Sequence, residues 1–282
     1  MDNGIKRDLT MENYLSNEKT IFAFNIWDIN SAKAVIDVAA DVNKNIILQT
    51  SSSIFQSMPK RQMRDFVSSY SVDKKIKVWL HLDHCKKEEL IKEAIKFGWD
   101  SVMIDVSDKE LSENIRITNE ITAYAHDQKV LVEAEVGRVK GVEDDVDGRD
   151  GAVASMQDIT RFLEETNIDM IAVAFGNAHG IYHGTPKLCY DLVEYTVGQT
   201  DIPFVVHGGS GLRDEILKKL MKIHNVKKIN ISTDVKLAYR KGIMQAYYDG
   251  KMEEDGFQAV IVEQYIHNAI KEMVESKLAL LK

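Results

Sequence analysis

Eight short apolar runs punctuate the chain, at residues 21–26, 45–50, 77–83, 101–105, 130–136, 170–176, 203–209 and 227–233. Each is too short for a helix and rich in Val, Ile or Phe, the pattern of a strand buried on both faces in a parallel sheet. Longer amphipathic stretches separate them, at residues 31–43, 86–97, 110–127, 155–166, 214–224 and 235–248, and a further helix is predicted over 257–281. Eight strands alternating with helices predict an α/β fold, a (β/α)8 TIM barrel with an appended C-terminal helix. An open, doubly wound sheet is the competing arrangement, and the count favours the barrel. No linker rich in Gly, Ser or Pro divides the chain, so residues 1–282 are read as one barrel domain.

Polar residues gather at the C-terminal ends of these runs. The third ends His81-Leu82-Asp83-His84, the fourth ends in Asp105, and the fifth carries Glu133 and Glu135. The sixth is followed by Asn177-Ala178-His179-Gly180, the seventh by Gly208-Gly209-Ser210-Gly211 after His207, and the eighth ends Asn230-Ile231-Ser232-Thr233. In a barrel all these ends converge on one face, where active sites sit. His84, His179 and His207 come from three different strand ends, and three imidazoles with an open fourth position are what a catalytic zinc takes. Asp105 and Glu135 are either an alternative pair of oxygen ligands or members of salt bridges inside the mouth. Asp83 is placed as a general acid/base, or as support for a histidine ligand. His81 lies two residues from Asp83 and shares its face. His126, His224 and His267 fall in helical segments and read as surface groups.

The glycines after the seventh run allow backbone N–H groups to approach an oxyanion, and a helix N-terminus follows. Together with Asn230 to Thr233 they form the usual barrel location for a phosphate. A metal, a phosphate and a carboxylate suggest chemistry beside the carbonyl of a phosphorylated sugar. Isomerisation, epimerisation and aldol cleavage all remain open at this point.

The charge balance narrows the partners. Lys and Arg number 36 against 44 Asp and Glu, a net charge of −8, which argues against general nucleic-acid binding. No apolar run approaches a membrane span, residues 1–9 lack the apolar core of a signal peptide, and two cysteines cannot make a disulfide framework. A cytoplasmic enzyme with no membrane and no nucleic-acid partner is expected.

Ordered motifs carry a resemblance. Ala23-Phe24-Asn25, His81 to His84, Ser101 to Asp105, Val132 to Gly137, Gly141 to Asp145, Ala174 to Gly180, His207 to Gly211 and Lys228 to Thr233 follow one another as in class II, zinc-dependent ketose-bisphosphate aldolases. The chain resembles that group, which contains fructose- and tagatose-bisphosphate aldolases, over residues 22–238. The resemblance implies zinc at His84, His179 and His207, with Asp105 and Glu135 at positions that bind a second or displaced divalent ion. It implies Asp83 as the acid/base on the hydroxyl at the breaking bond, and Glu143 as a loop carboxylate handling the proton on carbon. Gly180, Gly208, Gly209, Ser210, Asn230, Ile231, Ser232 and Thr233 match the binding residues for dihydroxyacetone phosphate. Asn25 and Ser51 match substrate-side positions, and a monovalent cation near Ala178, Gly180 and Gly208 is implied, as is a homodimer or homotetramer. The implied reaction is cleavage of a ketose phosphate to dihydroxyacetone phosphate and an aldehyde. The alternatives are a ketose 1-phosphate whose far end is not a phosphate, or a non-catalytic sugar-phosphate-binding barrel. Three departures bear on the substrate. His183 stands where many members have a lysine. Arg149 follows Glu143 without a secure match. The group's C-terminal Asp-Pro-Arg segment has no counterpart, since no proline follows Pro203. Arg149, Arg213 and Arg240 are the candidate replacements for its arginine.

Overall fold

A computed structural model of the protein describes residues 10–17, 20–143, 146–148 and 151–281. Strands β1 (Ile21–Asn25), β2 (Ile46–Ser51), β3 (Val78–Cys85), β4 (Ser101–Ile104) and β5 (Leu131–Val136) run parallel and in sequence order around a sheet. A short antiparallel hairpin, β6 (Gly141–Glu143) and β7 (Val146–Gly148), interrupts the series. β8 (Met170–Val173), β9 (Phe204–Val206) and β10 (Val226–Ile231) complete it, and β10 pairs back onto β1 in the register Ile21 to Lys228 through Phe24 to Ile231. That last pairing closes the barrel and excludes the open sheet. The eight barrel strands fall within or overlap the eight predicted runs.

Helices α2 (Ile29–Asp41), α5 (Glu88–Lys96), α6 (Leu111–Asp127), α7 (Met156–Glu165), α9 (Asp214–Lys222) and α10 (Thr233–Tyr248) correspond to the predicted stretches. α11 (Ala259–Leu278) is the appended C-terminal helix. Four helices lie outside the predicted set: α1 (Met11–Asn17), α3 (Ser52–Ser57), α4 (Lys60–Asp73) and α8 (Tyr190–Gln199). No helix among the described residues is long and apolar enough to cross a membrane.

Alternation along the strands builds two cores. Outward positions such as Phe22, Phe24, Leu48, Leu80 and Ile229 pack under the helices. Inward positions at the amino ends, Ile21, Ala23, Ile47, Trp79, Met170, Ala172 and Val205, fill the barrel, and Met11 and Leu15 of α1 pack onto that plug. Further along the inward faces the side chains turn polar: Asn25, Gln49, His81, Glu133, His207 and Asn230 are all buried. The barrel therefore has an apolar floor and a polar upper half, and the second is where the predicted chemistry lies.

Candidate metal and phosphate site

Asp83 and His84 are adjacent, yet both reach the mouth, which regular alternation would forbid. The pairing of β3 with β4 slips between Leu82 and Cys85, and His84 takes a left-handed φ of 46°. A bulge with this unusual backbone turns two consecutive side chains toward one space. The three imidazoles then cluster: ring centroids of His84 lie 4.9 Å from His179 and 4.5 Å from His207, with 5.9 Å between the latter two. One nitrogen from each falls within 4.8 Å of the others.

The other ring nitrogens fix the orientation. His84 Nδ1 and Asp105 Oδ2 are 2.7 Å apart, and Asp105 Oδ1 accepts from the Ser107 hydroxyl at 2.7 Å. His207 Nε2 bonds Glu133 Oε1 at 2.8 Å. This leaves His84 Nε2 and His207 Nδ1 buried with no hydrogen-bond partner. Glu135 Oε2 stands 3.1 Å from His207 Nδ1 without hydrogen-bond alignment, and it too is orphaned. Buried polar atoms left open are costly, so a convergent set of them marks a place for a cation. The electrostatics agree. Burial opposes charge on His84, but Asp83, Asp105 and Glu135 outweigh it and push its pKa up to about 10. His207 is likewise raised to about 8 despite burial and the neighbouring His84, through Glu133 and Glu135. The site holds positive charge strongly, and the donor set of three imidazoles with a nearby carboxylate fits a divalent metal.

Beneath lies a buried ion pair. Lys228 Nζ is 2.7 Å from Glu133 Oε2, and both side chains are wholly buried. Burial disfavours the Glu133 charge, yet Lys228, His81 and His207 hold it well below the ordinary carboxylate range. His81, Asp83 and Glu133 form a second close group. Its counter-charge is already present in the Lys228 ammonium. His81 is bonded through Nδ1 to Ser101 at 2.8 Å, and burial and Lys228 push its pKa down, so it packs as a neutral ring.

Asp83 is gripped by amides. Gln49 Nε2 donates to Asp83 Oδ2 at 2.9 Å and to Asn25 Oδ1 at 2.6 Å, while Asn230 Nδ2 donates to Asp83 Oδ1 at 3.3 Å. Asn230 thus sits with Asp83. Ser51 pairs in register beside Asp83. The expected phosphate cradle is assembled from three loops. Gly208 has a φ of 65°, and a Cβ there would collide with the Ala178 carbonyl. Tyr182 donates its hydroxyl to the Gly208 carbonyl and accepts from Ala178 N, both at 2.9 Å, tying the loops after β8 and β9 together. Ser210 Oγ accepts from Ser232 N at 3.1 Å and Asp234 N at 3.2 Å, so it lies against the N-terminus of α10. Ser232 Oγ is buried there without a partner. Gly180 and Gly209 belong to the same loops, Thr233 opens α10, and Ile231 turns its side chain into the helix layer.

Other predicted residues fall elsewhere. The backbone of Glu143 ends β6, while its side chain and Arg149 lie outside the described residues. Arg213 donates to Thr185 Oγ1 at 3.2 Å, and Arg240 lines a groove on the outer face of α10. His183 and His224 are exposed. His126 and His267 are not free surface groups as expected: they are half-buried beside Asp169 at 2.9 Å and Asp37 at 3.5 Å. Gln49, Tyr182 and Lys228 were given no role from sequence. For Gln49 the available signal was its alternation with Ile47 and Ser51 on the inward face. A cavity of 880 Å³ lies at the opposite end of the barrel near Met11, Trp79 and Lys129, away from all these groups.

The model of the family described as fructose-bisphosphate aldolase class-II matches residues 10–282. The YdjI aldolase from Escherichia coli K12 is similar in structure, with a TM-score of 0.80 at 26% identity, over 95% of this chain and 94% of that one. A fructose-bisphosphate aldolase from Campylobacter jejuni superposes with a TM-score of 0.77 at 21% identity, covering 96% of this chain and 93% of that one, and supports the fold alone.

Proposed function

Because the chain belongs to the class II fructose-bisphosphate aldolase family, we propose that it is a zinc-dependent lyase cleaving a ketose phosphate reversibly to dihydroxyacetone phosphate and an aldehyde. The observation that carries this is the convergence of open, buried histidine nitrogens beside a carboxylate held by amides. His84 Nε2, His207 Nδ1 and a nitrogen of His179 would hold the metal. When bound, it polarises the carbonyl next to the breaking bond. Asp83 takes the proton from the hydroxyl at that bond and returns it in the condensation direction. Gln49 and Asn230 keep its two oxygens in place. Glu143 exchanges the proton on the carbon of the dihydroxyacetone half. Gly180, Gly208, Gly209, Ser210, Ser232 and Thr233 bind the phosphate through backbone donors, hydroxyls and the α10 N-terminus. Glu135, with its open Oε2, would receive a second or displaced divalent ion, Asp105 joining it only on release from His84 and Ser107, and the carbonyls around Ala178, Gly180 and Gly208 would receive a monovalent one. Two free cysteines, Cys85 and Cys189, suit the cytoplasm, where we place the enzyme as a homo-oligomer.

Removal of metal tests the assignment. Exhaustive chelation should abolish release of dihydroxyacetone phosphate, and added zinc should restore it. Full activity of metal-free protein would instead require a lysine Schiff base.

A further inference from the structure

A recess of 230 Å³ opens beside Asn25 at the carboxyl end of β1, walled by Ile26, Trp27, Ile54 and Tyr239, with Lys236 also lining it. Its position follows from the topology. Trp27 comes from the loop after β1, Ile54 from α3 after β2, and Tyr239 from α10 after β10. The phosphate cradle is built from the loops after β8, β9 and β10. Asp83 stands between the two, joined to the recess through Gln49 and Asn25. A substrate with its phosphate in the cradle and its breaking bond at Asp83 therefore sends its remaining carbons toward Asn25 and into this recess.

The lining speaks to what those carbons carry. Trp27 and Tyr239 meet edge to face, with centroids 5.2 Å apart at 90°, which fixes both rings as a rigid wall. Ile26 and Ile54 add aliphatic surface. Among the described residues no arginine lines it, its single cation is the Lys236 ammonium, and Arg213 and Arg240 point to other parts of the molecule. A phosphate dianion leaving water needs several charge-assisted donors, for which the arginine fork is best suited. Set against indole, phenol and isoleucine, with one ammonium in place of several convergent donors, it would lose more solvation than it recovers. A short carbon chain instead gains by covering these faces.

We propose that this recess receives the aldehyde half of the substrate and selects small aldehydes without a terminal phosphate, Trp27 and Tyr239 being the specificity-determining residues. The assignment rests on the aldolase reading above, and two measurements on the zinc-loaded full-length protein separate them. Exchange of solvent deuterium into dihydroxyacetone phosphate, with no aldehyde present, reads the aldolase reading alone, and absence of exchange overturns both. With exchange present, condensation rates with glyceraldehyde and glyceraldehyde 3-phosphate are compared. The unphosphorylated aldehyde is expected to lead in kcat/KM by about 10-fold or more. Equal rates, or a lead for the phosphate, overturn the recess assignment while leaving the aldolase intact. Trp27→Ala should depress kcat/KM for glyceraldehyde about 10-fold further than it depresses exchange. Ile54→Arg, which adds a guanidinium fork beside Lys236 without removing the ring wall, should raise glyceraldehyde 3-phosphate relative to glyceraldehyde by a similar factor. An unchanged ratio in Ile54→Arg counts against the assignment even if Trp27→Ala fails to fold.

Discussion

Gln49 illustrates how much of the site depends on neutral amides. One Nε2 serves both Asn25 and Asp83, so a single side chain links the acid/base to the wall of the substrate recess. Asp83→Ala should cut turnover by about 10²–10⁴-fold while the purified protein keeps its metal, as measured by kinetics beside metal analysis. Loss of metal in step with rate would make Asp83 a ligand. Lys228 is a different case. It has no route to solvent, and its partner Glu133 is equally buried. Lys228→Met leaves an uncompensated buried carboxylate that is also bonded to His207, and should cost about 3–5 kcal/mol in denaturant unfolding. Adding Glu133→Gln to that variant should recover most of the loss, which a merely spatial role for Lys228 would not allow.

Among the elements, α2, α4 and α11 meet at one acid. Asp37 on α2 accepts from Lys33 and Lys74 at 2.7 Å and from the Tyr70 hydroxyl at 2.7 Å, with His267 of α11 at 3.5 Å. Burial alone would raise its pKa, but these donors drive it well below the ordinary value of 3.8. A depressed carboxylate contributes its stability above the unfolded pKa and loses it as pH falls toward the folded one. Thermal stability should therefore fall from about pH 4 downward, and Asp37→Asn should lower Tm at neutral pH and flatten that acid limb. An unaltered acid limb would remove Asp37 as its source. The strands and most helices were legible because their apolar residues repeat strongly. α4 was not, since its buried positions reduce to Met63, Val67 and Ser71 among polar neighbours. α1 escaped for the same reason: only Met11 and Leu15 are buried, and their partner is the barrel floor. That partner is invisible until the barrel closes.

For the molecule as a whole, the site was legible as far as strand ends reveal it. His84, His179 and His207 could be grouped because a barrel brings distant strand ends together. The grip on Asp83 and the ion pair beneath His207 could not, because they depend on which residues face each other across the interior. The interior is made only when β10 joins β1. A chain ending at residue 225 lacks that joining strand and should be recovered as insoluble material, whereas a smaller soluble fold with native-like circular dichroism would contradict the need for closure. The same pairing has a meaning for biosynthesis. β1 leaves the ribosome early, yet the segment that covers its free edge is translated about 200 residues later. At roughly 5–20 residues per second, that is about 10–40 s in which a strand with open hydrogen-bond groups is exposed to other nascent chains. Folding of this enzyme in the cell is thus a problem of waiting, and any slowing of translation before residue 226 lengthens the wait.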